Sequence, residues 1–201
     1  MNKRNIKKEG IEAIIFDWGG VLAPSDIKVA ASSLCKKYKC NEKELLDRMA
    51  TLEDKYSKED NYEKYFNIIS KEYNIPKDEI LKQLNNVPPW ETFEFARKLS
   101  DYYKIYILSN QMKFRTDYIK YNYDMSFFEK VFFSNEIKAL KPDKKSFQYV
   151  LNCIPFEAEQ CLFIDDRQEN CVVAESLGIR SIQFIDTRQI EKDINKYISA
   201  N

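Results

Sequence analysis

The sequence predicts an α/β protein built on a doubly wound parallel sheet, with a helical cap inserted after the first strand. Three observations carry this. Short apolar runs rich in Ile, Val, Phe and Tyr recur along the chain, each followed by polar or glycine residues and then a helical pattern. Strand and helix alternate, as parallel βαβ units require. The alternation breaks once, after the first strand, where only helical patterns follow.

In chain order, the first strand is "AIIFD" (13–17), apolar on both faces as a central parallel strand must be. Helical stretches then run over 26–39, 42–56, 61–73 and 77–86. Asn41 with Glu44 has the form of a capping box, Pro76 suits a helix start, and Pro88-Pro89 ends the series. Tyr56, Tyr62, Tyr65 and Phe66 stand at spacings that put several of them on one helical face, and they read as the core of this insert. The sheet then resumes with strands "YKIYILSN" (103–110), "KVFFS" (130–134), "CLFIDD" (161–166) and "SIQFI" (181–185). Helices are expected at 89–101, 112–123, 143–153, 168–177 and 187–199. The expected organisation is a Rossmann-like catalytic core of residues 1–22 and 89–201, with a helical cap of residues 23–88.

Composition narrows the chemistry. Lys plus Arg and Asp plus Glu number 32 each, so no global basic field exists to attract nucleic acid. The start "MNKRNIKKEG" is followed by no signal-peptide core, and no apolar run is long enough to span a membrane. A cytoplasmic protein is the expectation. The five cysteines (35, 40, 153, 161, 171) are odd in number and form no C-x-x-C, so buried free thiols are expected ahead of a disulfide or zinc. There is no histidine. Ser-His-Asp and Cys-His catalysis, histidine-ligated zinc and imidazole acid–base chemistry are therefore excluded.

In an open parallel sheet, ligands bind beyond the carboxyl ends of the strands. Those ends carry Asp17, then Ser109 and Asn110, then Lys141 past the third strand, then Asp165 and Asp166. Each alone is ordinary loop or capping chemistry. Together, three carboxylates and a lysine at one edge call for a ligand that exploits them. Carboxylates from separate strands form a hard oxygen site suited to Mg²⁺. Lysine offers a compact charge for a phosphate or for a nucleophilic carboxylate, and an Asp nucleophile is known chemistry for aspartyl-phosphate enzymes. Gly19 and Gly20 permit close backbone approach to phosphoryl oxygens.

These segments resemble the four motifs of the haloacid dehalogenase-like hydrolases: "IIFDWGGVL", "YILSN", "LKPDKKSFQYVL" and "LFIDDRQENCVVAESLGI". Motif order and separations fit, and the wide first gap is where members with a helical cap carry it. The resemblance implies Asp17 as nucleophile and Mg²⁺ ligand, and the Gly19 carbonyl as a second ligand. It further implies Asp166 as a direct ligand, with Asp165 a ligand or an orienter. Ser109 and Lys141 would hold the phosphate, Asn110 would line the site, and the cap would close over it. Gly20 would help cradle phosphate. Trp18, next to the nucleophile, is expected at the cap boundary, either shaping substrate access or packing there.

Position 19 departs from most of the family, which places a second Asp there as proton donor and water activator. Gly19 argues against phosphomutase activity. "FDWGGVL" is most similar to a branch resembling bacterial sugar-phosphate phosphatases with "FDxGxV". The proton donor stays open between water and a carboxylate of the cap. The expected function is Mg²⁺-dependent hydrolysis of a small phosphorylated metabolite, with a sugar phosphate as first guess. The alternatives are 2-haloacid dehalogenation, or a phospho-ligand-binding protein with an impaired site.

Overall fold

The computed structural model describes residues 10–57 and 61–198. Five parallel strands form one sheet: β1 (Ala13–Phe16), β2 (Lys104–Ser109), β3 (Lys130–Phe133), β4 (Cys161–Asp165) and β5 (Arg180–Gln183), in the order β3-β2-β1-β4-β5. β1 is central, with Phe16 level with Ile107 of β2 on one side and Ile164 of β4 on the other. All four of its residues are buried because both edges are paired and both faces covered. The strand order reverses at β1, so its carboxyl end opens at the switch point where an α/β sheet forms its crevice.

Between β1 and β2 lie α1 (Asp26–Tyr38), α2 (Glu42–Tyr56), α3 (Tyr62–Tyr73), α4 (Lys77–Asn85) and α5 (Glu91–Leu99). Beyond β2 come α6 (Lys113–Asn122), α7 (Ser134–Ile137), α8 (Lys144–Cys153), α9 (Gln168–Glu175) and α10 (Thr187–Ile198). Period-two alternation sends Ile14, Phe16, Ile105, Ile107, Leu162 and Ile164 to one face, under α5, α6 and α10. Ala13, Ile15, Tyr106, Leu108 and Phe163 go to the other, under α8 and α9.

Helices α1 to α4 bury a separate apolar cluster containing Leu34, Leu45, Met49, Tyr65, Phe66 and Ile69, which Met112 and the partly buried Phe114 join from the β2–α6 segment. The expected aromatic packing holds, with Tyr56, Tyr65 and Phe66 buried there and Tyr62 against them. Asn41 caps α2 by accepting the Glu44 N–H at 3.2 Å. Among the described residues no helix is long and apolar enough to cross a membrane.

The cysteine expectation needs one correction. Cys35 and Cys40 form a disulfide, while Cys161 and Cys171 are buried free thiols and Cys153 is an exposed one. A helical pattern continued through residue 40 conceals this pairing. α1 ends at Tyr38, and Lys39 takes a left-handed conformation at φ 57°, turning the chain back so that the two Cα atoms lie 4.6 Å apart.

Candidate active site

Asp17 leaves β1 at the sheet's carboxyl edge, its N–H held by the Ile164 carbonyl at 2.9 Å. Lys141 enters from the β3–α8 connection and sits between two acids, with its Nζ 2.9 Å from Asp17 Oδ1 and 2.6 Å from Asp165 Oδ2. All three side chains are nearly inaccessible. One buried cation thus serves two buried carboxylates, with the half-buried Asp166 alongside.

The electrostatics follow from that count. Burial pushes the Asp17 carboxyl up, Lys141 pulls it back, Asp165 pushes it up again, and the Ser109 hydroxyl relieves it slightly, leaving it at about 6. Burial opposes the Lys141 charge, but Asp165 and Asp17 together outweigh this and hold its pKa above the usual lysine value. Asp166 is raised by burial and by Asp165, against Lys28, Lys141 and Arg167.

Asp165 is the most completely engaged carboxylate. Besides Lys141, it accepts the Arg167 N–H at 2.8 Å, and Asn170 Nδ2 lies 2.9 Å from both its oxygens. Asp17, Asp165 and Asp166 each present an oxygen within 4.8 Å of the others. This all-oxygen donor set fits Mg²⁺, and with Asp165 already saturated, Asp17 and Asp166 are the carboxylates left to ligate directly.

The glycines divide their work. Gly20 has φ 87°, and a Cβ there would lie 2.5 Å from Asp166 Oδ2, so only glycine lets the acid sit against the backbone. It lines a neighbouring cleft with Lys28 and Asp166 rather than the Asp17 cavity. Gly19 faces the cavity itself, and a Cβ added there meets nothing nearer than Gln111 Nε2 at 4.0 Å.

Ser109 ends β2, buried and on the cavity wall. Asn110 also lines the cavity, but its amide is spent on the Lys141 backbone: Nδ2 donates to the Lys141 carbonyl at 2.8 Å and Oδ1 accepts the Lys141 N–H at 2.9 Å. It fixes the lysine loop. Trp18 corrects the expectation of a residue at the cap boundary. Its side chain is 1 % exposed and packs against Phe93 and Tyr123 in the sheet core, because it leaves the strand on the face opposite the cavity. Only its backbone N–H reaches the site, donating to Asp17 Oδ1 at 2.7 Å.

The cavity, about 300 Å³, is roofed by the helical insert. Asp26 and Lys28 of α1, and Glu53 and Asp54 of α2, line it opposite Asp17. Arg115 of α6 is buried beside it, with Nε 2.8 Å from Asp26 Oδ2 and Nη1 donating to Asn85 at 2.9 Å. Strand-end reasoning does not reach Glu53, Arg115 or Gln111. Glu53 had a signal, since it falls four residues after Met49 and eight after Leu45, on the buried stripe of α2.

The family model for haloacid dehalogenase-like hydrolases matches residues 14–184. Among solved structures, the haloacid dehalogenase-family enzyme BT-2542 of Bacteroides thetaiotaomicron, in its magnesium complex, is 24 % identical with a TM-score of 0.73, the match covering 92 % of this chain and 100 % of that one. Another crystal of that enzyme holds magnesium and inorganic phosphate. The L-2-haloacid dehalogenase of Xanthobacter autotrophicus is 13 % identical at a TM-score of 0.64, covering 92 % of this chain and 82 % of its own. At these identities the likeness is one of fold. The drimenol cyclase drtB of Aspergillus calidoustus is 33 % identical over 89 residues, which are 39 % of this chain and 17 % of that protein. The chain thus spans a small fraction of the length of that relative.

Proposed function

The chain belongs to the haloacid dehalogenase-like hydrolases, and from that premise we propose that it is a Mg²⁺-dependent phosphatase of small phosphorylated metabolites, with sugar phosphates the first class to try. The observation that carries this reading is Lys141 locked between Asp17 and Asp165, with Asp166 completing an oxygen triad. A nucleophile flanked by one lysine and two further acids suits a dianionic group brought in with a divalent cation. Bound there, Mg²⁺ would neutralise the phosphoryl oxygens and shield them from the carboxylates.

The chain's own residues supply the rest. Asp17 attacks phosphorus to form an aspartyl phosphate, which water then hydrolyses. The Trp18 N–H and Lys141 both hold Asp17 Oδ1, leaving Oδ2 as the attacking atom. Ser109 and Lys141 bind phosphoryl oxygens, Asn110 keeps the Lys141 loop in place, and Asp165 orients Lys141. Asp17, Asp166 and the Gly19 carbonyl would hold the metal. Residues 23–88 act as the cap that screens substrates and excludes water. The BT-2542 crystal with magnesium and phosphate supports this reading by analogy of fold. Dehalogenation uses an Asp nucleophile without metal, and would leave Asp166 and the Gly20 cradle beside it without a task.

A metabolite panel tests the proposal. Phosphate release is measured with Mg²⁺ and with EDTA, for wild type and Asp17→Asn. Release that needs both Mg²⁺ and Asp17 is expected. Chloride release from 2-chloropropionate in EDTA would favour the dehalogenase reading. If neither occurs, while inorganic phosphate raises the melting temperature, a binding protein is favoured.

A further inference from the structure

Hydrolysis of an alkyl phosphate needs a proton for the departing oxygen, since an alkoxide is a poor leaving group, and a positioned side chain supplies it best. Gly19 has no side chain to offer. The charged groups on the cavity wall, with Asp165 behind Lys141, narrow the choice. Lys141 is held by two carboxylates, Asp165 by Lys141 and Asn170, and Asp26 by Arg115. Asp17 is the nucleophile, and Asp166 belongs to the oxygen triad. Asp54 is exposed. Glu53 of α2 differs from all of these. It is half-buried, it lines the same cavity as Asp17, Gly19 and Ser109 from the cap side, and its carboxylate makes no ion pair or hydrogen bond among the described residues.

We propose that Glu53, reaching down from the cap, is the proton donor to the leaving group and the base that activates water in the second step, in place of a side chain at position 19. The inference rests on the phosphatase reading. In the first step Asp17 Oδ2 bonds to phosphorus, the bond from phosphorus to the ester oxygen breaks, and that oxygen takes the Glu53 proton. In the second, water attacks phosphorus, Glu53 regains a proton from the water, and the bond from Asp17 to phosphorus breaks. The enzyme returns to its starting state, with alcohol and phosphate released.

The surroundings favour the protonated form of Glu53 before the reaction. Burial raises its pKa well above the usual glutamate value. Asp26 of α1, Asp54 of its own helix and Asp17 after β1 add to this, and Arg115 of α6 opposes them. The buried phenol of Tyr65 on α3 faces the same group. Because the donor is on the cap, protonation of the leaving group requires the cap to be closed. Hydrolysis is then tied to a substrate that lets α2 seat.

Glu53→Gln keeps the shape and removes the proton. It is expected to slow hydrolysis of an alkyl phosphate, such as glycerol phosphate, on the order of 10²-fold or more. The 4-nitrophenyl ester, whose leaving group needs no proton, should keep its initial burst within a few-fold. Phosphorylated Asp17 should accumulate behind that burst, because the second step has lost its base. Gly19→Asp has room to enter and is expected to recover alkyl-ester turnover in the Glu53→Gln background. Equal slowing of both esters, with no recovery from Gly19→Asp, marks a structural role and overturns the proposal, as does no slowing of either. A wild-type protein inactive on both esters would instead overturn the phosphatase reading itself.

Discussion

At the scale of the residue, the site is built by crowding acids around too little positive charge. Asp17 shows the consequence. Its folded pKa of about 6 lies above its value in an unfolded chain, so the folded state takes up a proton that the unfolded state does not in the window between about 4 and 6. The cost of ionising Asp17 is fully present above pH 6 and is relieved as pH falls through it. Asp17→Asn should therefore stabilise the metal-free protein at pH 7.5, by on the order of 1–3 kcal/mol, and by roughly a third as much at pH 4.5. Melting curves at the two pH values check this. A uniform gain at both would point to packing instead.

Gly20 is the second residue that cannot change quietly. Gly20→Ala must accept a left-handed φ and push Asp166 aside, so the Mg²⁺ concentration for half-maximal activity should rise about 10-fold or more. Gly19→Ala meets no such contact and should fold with near wild-type stability. Titrating activity against Mg²⁺ and comparing melting temperatures separates the two. Asp17, Ser109 and Asp166 were legible in the sequence because each sits at or just past a strand end, and Lys141 because it lies on the connection leaving the same edge after β3, where topology converges side chains. Trp18 was misjudged because adjacency along the chain says nothing about which face of the sheet a side chain takes. Gln111 and Arg115 were invisible because their partners, Ser134 for the first and Asp26 and Asn85 for the second, come together only through the tertiary fold.

At the scale of the element, Arg115 joins the two halves of the molecule. From α6 of the core it reaches Asp26 at the start of α1 and Asn85 at the end of α4, the two points where the insert leaves and returns. Arg115→Met would strand Asp26, which is 7 % exposed, at a cost of about 3–5 kcal/mol, and Asp26→Asn in that background should recover much of it. Denaturant midpoints for the four proteins of this cycle give the coupling directly; strict additivity would mean that the pair does not act as a joint. Elements with a full period of apolar residues were legible to within a residue or two, including the capped start of α2 at Asn41. The four-residue α7 and the short 3₁₀ turn at Ala158–Gln160 hold less than two helical periods and left no pattern to find. The Cys35–Cys40 pairing depended on one left-handed residue, Lys39, that no periodicity announces.

At the scale of the whole molecule, a central buried strand carries Asp17 to the switch point of the sheet, and an inserted helical layer stands over it. That division was legible because the apolar pattern changes from strand-like to purely helical after residue 17 and back again near residue 103. Which insert residues face the cavity was harder to read, since a helical stripe does not say which part of it meets the core.

The central claim is that Asp17 carries the phosphoryl group during turnover. Its most direct measurement is an acid quench during Mg²⁺-dependent turnover of a phosphate ester, followed by peptide mass analysis. The account predicts one phosphoryl group on the peptide bearing Asp17, absent from Asp17→Asn and absent without Mg²⁺. Phosphate release that continues in Asp17→Asn, with no phosphorylated peptide in the wild type, would contradict it.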